Sequence, residues 1–301
     1  MAGGRTRNTL LCWEADETDS WNPVLARELR RRGHGVTEVH GLDDLKTIDP
    51  SDYDLTLPRF RIRAAHMASV DDELVHWKVP MLNSRATRRI CEHKGLAHQA
   101  FARLGIDQPP WLVVGAEGVA DRSETWEGES IIKPLCGSRG AGIEILPTLE
   151  AAMTRGLERG EDLLVQQMIW PARSWRVIVG RASGIVDPYW RRPPTKADRV
   201  LSISTGSRIA REPLPAAGRA VAEAMLAAVE GDLLAVDLLE TADRFYALEI
   251  NHNFDAHGAT VPAVDAFECE ITRLSSAWER RQRSALRSGA RRAASQATSG
   301  A

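Results

Sequence analysis

Apolar residues in the first part of the chain come in short runs set around one amphipathic stretch. Thr9-Leu10-Leu11-Cys12-Trp13 reads as a strand, Asn22 to Arg32 as a helix and, after Gly33-His34-Gly35, Val36 to Val39 as a second strand. This βαβ rhythm predicts a parallel sheet. Asp52 to Arg59 reads as a third strand ending in a loop, and Val79-Pro80-Met81-Leu82-Asn83-Ser84 as a fourth. Residues 1–85 are therefore expected to form a small α/β domain.

From Ala86 to Gly105 the apolar positions Ile90, Leu96, Ala97, Ala100, Phe101 and Leu104 recur at helical spacing, with Gly105 as the C-terminal cap and Lys94 inside the helix. Trp111 to Val114, Ser130 to Lys133, Ile143 to Leu146 and Leu163 to Ile169 read as strands, with a helix from Thr148 to Arg159 capped by Thr148. These elements define a second region, 86–168. A third, 169–275, opens with an antiparallel hairpin, Ser174 to Gly180 returning through Ile185 to Asp187. It continues through a helix from Pro213 to Glu230 to two strands, Leu233 to Leu239 and Phe245 to Asn251, paired across Thr241-Ala242-Asp243-Arg244. Beyond Ser275 apolar content almost vanishes, and residues 276–301 are expected as a frayed helix passing into a basic, disordered tail.

Composition narrows the partners. Of 301 residues, 43% are hydrophobic and 27% charged, with a formal net charge of -2, which gives no electrostatic case for nucleic acid or an anionic membrane. No apolar run approaches a membrane span and the Met1 to Asn8 start is polar, so a cytoplasmic location is expected. Cys12, Cys91, Cys136 and Cys269 lie far apart without zinc spacing and read as reduced thiols.

Two constellations carry chemistry. Asp237, Glu249 and Asn251 either end a charged hairpin or bring three hard oxygen donors together, the outline of a Mg²⁺ site for a nucleotide. Lys133-Pro134-Leu135-Cys136-Gly137-Ser138-Arg139-Gly140-Ala141-Gly142 is either a glycine-rich turn or a flexible loop whose backbone N–H groups meet phosphate oxygens beside Lys133. It is not a Walker loop, because the lysine precedes the glycines. It is not a dinucleotide fingerprint either, because it leads into a strand.

The order of helix lysine Lys94, strand lysine Lys133, glycine loop, linking strand, hairpin, Asp237 and Glu249-x-Asn251 resembles the ATP-grasp superfamily, in its RimK-like branch of carboxylate–amine ligases, over roughly residues 79 to 262. The resemblance implies an α/β (α+β) ATP-grasp fold: an N-terminal α/β pre-grasp domain plus two α+β lobes gripping ATP. It implies ATP with Mg²⁺, or Mn²⁺ in its place, as cofactors. Lys94, Lys133, Gly137, Ser138, Arg139, Gly140 and Gly142 would surround the phosphates, and Gln166, Gln167 and Ile169 the adenine. Asp237, Glu249 and Asn251 would hold metal. Arg176, in Trp175-Arg176-Val177-Ile178-Val179-Gly180, and Arg191 would stabilise an acyl phosphate and the adduct formed by an amine, with structural salt bridges as the alternative for each. His252 and His257 flank the metal strand. Each is a candidate for substrate contact or for the base that deprotonates the amine, His257 foremost, against a structural histidine.

Departures fall on the acceptor side. Gln167 stands where the family commonly has Glu, Ser174 where it has Asp, Ser202 and Gly206-Ser207 where Asn and paired glycines are usual, and His252 to Gly258 replaces a proline-containing turn. The implied reaction is ATP-dependent amide or peptide bond formation between small-molecule or peptide carboxylate and amine substrates, in a chain able to form a homodimer. A phosphotransferase and a non-catalytic ATP-binding regulator are the alternatives.

Overall fold

The structure is a computed structural model that describes residues 6–14, 21–61, 65–115, 118–122, 125–137, 141–192, 208–256 and 260–299. The chain divides into two compact units, Met1–Leu82 with Val264–Ala301, and Asn83–Ala263. The stretch from Val264 onward, assigned from sequence to the third region and a separate tail, thus groups with the first unit.

In the first unit β1 (Asn8–Trp13), α1 (Asn22–Arg31), β2 (Gly35–Val39), α2 (Leu42–Lys46), β3 (Leu55–Arg59) and α3 (Ala65–His76) alternate, and the strands form a parallel sheet in the order β2-β1-β3. Leu10, Cys12, Val39, Phe60, Met67, Val70 and Leu74 make its core. Two differences from the sequence reading stand out. α3 was not anticipated, although Met67, Val70 and Leu74 form a buried stripe at helical spacing. The expected fourth strand at 79–84 is reduced to an isolated parallel bridge between Thr56 and Met81. Pro80 has no N–H to give a ladder, and Asn83 turns into the left-handed region with φ 60.

The second unit holds two five-stranded antiparallel sheets. α4 (Arg85–Glu92), α5 (Lys94–Arg103), β4 (Trp111–Gly115), β5 (Gly118–Arg122), β6 (Ser130–Pro134), β7 (Glu144–Leu146), α6 (Leu149–Arg159) and β8 (Leu163–Gln167) come first, with strand order β5-β4-β8-β6-β7. β9 (Arg173–Gly180), β10 (Gly184–Arg192), β11 (Arg208–Arg211), α7 (Ala216–Ala228), β12 (Leu233–Glu240) and β13 (Phe245–Asn251) follow, in the order β11-β10-β9-β12-β13. The single helix expected over 86–105 is two. His93 leaves helical conformation with φ -120 and ψ 101, and its Nδ1 accepts from the Leu96 N–H at 3.2 Å, so it caps α5. As expected, the Thr148 hydroxyl caps α6, accepting from the Ala151 N–H at 3.1 Å.

α8 (Thr260–Ser299) completes the chain. The tail expected to be disordered is thus helical as far as Ser299. Its Ala, Arg, Leu and Gln residues are strong helix formers that need no apolar face, and Arg283 lies 3.5 Å from Glu279 one turn back.

One side chain anchors the unit that carries the site. Asn83 Oδ1 accepts from the N–H groups of Asp232 and Leu233 at 2.9 and 3.2 Å, and its Nδ2 donates to the Leu233 carbonyl at 2.7 Å. Asn83→Ala would strand these groups at the start of β12 and leave a left-handed residue without the polar side chain that favours that conformation. The expected result in urea unfolding is a loss of about 3 kcal/mol.

Candidate functional site

Strand periodicity builds the site. Leu234, Val236 and Leu238 of β12 enter the core with Trp175, Val177 and Val179 of β9, so Asp237 and Arg176 face the opposite side of the sheet. β13 joins them through a bulge: Asp237 pairs with Glu249 but Leu238 pairs with Ala247, leaving Leu248 extra. The bulge keeps Phe245, Ala247 and Ile250 in the core while turning Glu249 and Asn251 toward Asp237. Regular pairing would set Leu248 against Asp237 and send Glu249 into the core. Asp237 also pairs with Arg176, and Arg176 with Tyr189 of β10. One row across the sheet therefore reads Tyr189, Arg176, Asp237, Glu249, with Arg191 and Asn251 displaced along the strands in opposite directions.

Asp237 is 2% exposed and doubly clamped. Arg176 meets it as a fork, Nε to Oδ1 at 2.9 Å and Nη2 to Oδ2 at 2.6 Å, and Arg191 Nη2 donates to Oδ1 at 2.6 Å. Burial alone would raise the carboxyl, but the two guanidinium groups outweigh it and hold the group at about 2. Burial likewise works against the Arg176 charge, and Asp237 more than reverses it, raising the guanidinium above its ordinary value.

Two lysines approach from the other sheet and α5. Lys94 opens α5, where the helix dipole opposes a cation. Its Nζ donates to the Gly137 carbonyl at 2.9 Å and lies 3.6 Å from Glu249 Oε1. Lys133 on β6 is buried and donates to Gln166 Oε1 at 2.9 Å. Burial, with the Lys94 charge in the same sense and Glu249 and Asp237 opposing, lowers its ammonium to about 8.

Of the residues expected from sequence, Lys94, Lys133, Arg176, Arg191, Asp237, Glu249 and Asn251 belong to one unit; contacts and pairings join all but Lys133, which is linked electrostatically to Lys94, Glu249 and Asp237. Gly142 needs to be glycine: its φ is 72, and a β-carbon would come within 2.9 Å of Pro134 Cγ. Gln166 is buried and turned to Lys133, and the Gln167 N–H is spent on the Pro110 carbonyl at 2.8 Å, while Ile169 lies past the end of β8. Ser138, Arg139, Gly140, Ser202, Gly206, Ser207 and His257 lie outside the described residues. His252 is buried, its Nε2 3.0 Å from Glu92 Oε1, which ties the end of β13 to α4. Trp175, beside Arg176, packs into the core, and Trp170 is exposed.

Sequence reasoning missed His98 and Gln108. His98 Nδ1 lies 2.6 Å from Gln108 Oε1, and His98 Nε2 lies 3.3 Å from Gln166 Nε2. The available signal was the spacing of Lys94 and His98, one helical turn apart.

Among the described residues no group of three His, Cys, Asp or Glu is placed to hold a metal. Two carboxylates and an amide are nonetheless a donor set suited to Mg²⁺, which completes its octahedron with water and phosphate oxygens. Asp237 accepts three hydrogen bonds, leaving one lone-pair direction on Oδ2. Asn251 Nδ2 is buried with no hydrogen-bond partner among the described residues, so no bond from them locks the amide against turning its oxygen to an ion. The residues fit the group.

No protein-family model matches the sequence, and no curated protein matches it. Solved structures do. A D-alanine–D-alanine ligase from Bacillus anthracis in complex with ATP aligns with a TM-score of 0.66 at 12% identity, covering 92% of this chain and 100% of the other. The ATP-grasp ligase PsnB, solved with a minimal precursor, Mg and ADP, aligns with a TM-score of 0.63 at 13% identity over 89% and 99%. A RimK domain ATP-grasp protein from Sphaerobacter thermophilus aligns with a TM-score of 0.57 at 18% identity over 89% and 98%. The chain has the ATP-grasp fold. Among the described residues no helix is long and apolar enough to cross a membrane.

Proposed function

We propose that this protein is an ATP-dependent ligase that joins a carboxylate to an amine. The observation that carries the reading is the juxtaposition of Lys94 with Glu249, 3.6 Å apart, beside the paired Asp237 and Glu249. Four cations, Lys94, Lys133, Arg176 and Arg191, stand against two carboxylates in this group. The surplus is positive, opposite in sign to a triphosphate carrying one Mg²⁺. The ligases that share this fold, solved with ATP or with Mg and ADP, agree with that charge balance.

Asp237, Glu249 and Asn251 would hold Mg²⁺, and ATP would supply the phosphoryl group that turns a carboxylate into an acyl phosphate with release of ADP, from which an amine would displace phosphate to leave the amide. Lys94 and Lys133 would hold the phosphate oxygens, with backbone N–H groups of the glycine-rich sequence that begins at Gly137 as further donors. Arg176 and Arg191, already fixed by Asp237, spend no reorganisation to neutralise charge developing at the transferred group. The amine's proton leaves to solvent or to a nearby base, for which His257 is the candidate.

The test offers ATP and Mg²⁺ with pools of amino acids, short peptides and carboxylates, and follows ADP, phosphate and product mass. Phosphate release with a new amide, and a hydroxamate when hydroxylamine is added, is the expected result. A phosphorylated product without an amide would make the protein a phosphotransferase, and no ADP from any pool would leave it a binding protein.

A further inference from the structure

We propose that His98 and Gln108 form a positioning relay that fixes the side-chain amide of Gln166 and through it aims Lys133 at the nucleotide. The inference rests on reading Lys133 as a nucleotide-binding lysine.

Direction is set at one end by a group that can only accept. Gln108 Nε2 donates to the His98 backbone carbonyl at 3.1 Å, which leaves Gln108 Oε1 facing His98 Nδ1 at 2.6 Å. Nδ1 must then carry the proton, and a neutral imidazole presents Nε2 as an acceptor. Gln166 Nε2 donates to it across 3.3 Å, so the only amide orientation left points Oε1 at Lys133 Nζ, 2.9 Å away. A flipped Gln166 would aim its NH₂ at an ammonium group and its oxygen at the acceptor nitrogen of His98.

Packing holds the relay in place. His98 and Gln166 are each 1% exposed. The imidazole stacks on Trp111 with ring centroids 5.6 Å apart and meets Phe101 edge-on at 5.7 Å. Burial lowers His98 to about 4, the Gln108 hydrogen bond opposing, so the ring stays neutral and Nε2 stays an acceptor. The chemistry of the last link matters too. Gln166 is a neutral acceptor, so it orients Lys133 without cancelling the charge, as a carboxylate there would.

The experiment uses the full chain. Binding of Mg²⁺ with a non-hydrolysable ATP analogue is measured by calorimetry for the parent, K133M, H98L, Q166L and H98L/Q166L. In nucleotide-free protein, the pH dependence of Lys133 acetylation is followed by peptide mass spectrometry for the parent, H98L and Q108L. Q108L, at a half-buried position, carries the same test should H98L fold poorly. Loss of the relay is expected to weaken analogue binding about fivefold in H98L, with the double variant no worse than Q166L alone, because His98 acts through Gln166. It is also expected to lower the pH at which Lys133 becomes reactive by about half a unit in H98L or Q108L, since the charged amine loses its acceptor. A packing role would change neither. Unchanged Lys133 reactivity in the variants overturns the relay, whether or not nucleotide binds, and so do multiplicative effects of H98L and Q166L. Parent-like analogue binding by K133M overturns the reading of Lys133 instead.

Discussion

Asp237→Asn is expected to remove turnover and weaken the fold together. The substitution keeps the shape of the side chain and deletes its charge, which leaves Arg176 and Arg191 facing an amide. Both guanidinium groups are mostly buried, with side-chain exposures of 19% and 9%. Breaking a buried pair by removing one partner costs about 3–5 kcal/mol, because the remaining charge stays desolvated. Urea unfolding at neutral pH measures that loss. Phosphate release should fall by about 10³-fold or more, since the proposed metal ligand and the anchor of the two arginines proposed to stabilise the transition state go at once. The acid limb gives a separate check. Asp237 is held at about 2 in the folded chain, below the ordinary carboxyl value of about 3.9. Its ionised form therefore contributes stability that is complete above about pH 4 and is lost as pH falls toward 2. The Asn variant should lack that part of the acid slope, and a full slope in the variant would remove Asp237 as its source.

Lys133→Met is expected to cost nucleotide affinity about 10- to 100-fold and turnover about 10³-fold, with thermal stability at neutral pH retained. The lysine is buried and its ammonium sits at about 8, against an ordinary value of about 10.4. Burial thus disfavours the charge, and a thioether-bearing chain of similar length relieves that cost. Between about pH 8 and 10.4 the unfolded chain holds the proton that the folded chain has given up, so the parent gains stability as pH rises through this window. Met at 133 should abolish the gain. Nucleotide affinity of the parent should decline above about pH 8, two units earlier than an exposed lysine would require. An affinity flat to pH 9.5 would show that Lys133 does not touch the phosphates.

The sequence carried the parts of the site that depend on strand period and on residue chemistry. Asp237 interrupts an apolar run, Glu249 and Asn251 alternate with core residues, and the hairpin between them is short; together these foretold the pairing that the structure contains. The bulge at Leu248 was not foretold, yet it alone decides that Glu249 and Ala247 face opposite sides. A one-residue slip leaves no mark on composition. Lys94 looked like one more helix lysine, because its position opening α5 depends on His93 breaking the helix, and histidine is a weak capping signal. His98 and Gln108 escaped for a different reason: each alone is an ordinary polar residue, and only tertiary packing joins them to Gln166. Arg176 and Arg191 were assigned to the substrate side, with salt bridges as the alternative, and in the folded chain both bond Asp237. In the first unit, Met81 makes one bridge where a strand was expected, because Pro80 and the left-handed Asn83 stop the ladder. In the tail the propensity of alanine and arginine for helix prevailed without any apolar stripe to announce it.

Lys94, Lys133, Asp237, Glu249 and Asn251 are together proposed to hold a metal-bound triphosphate. Calorimetric titration of the full chain with a non-hydrolysable ATP analogue, with and without Mg²⁺, tests this proposal most directly when E249Q is titrated alongside. The expected result is one analogue per chain, bound more tightly with Mg²⁺, and a Mg²⁺ dependence that disappears in E249Q. Failure of the parent to bind the analogue, or a Mg²⁺ dependence that survives unchanged in E249Q, would contradict it.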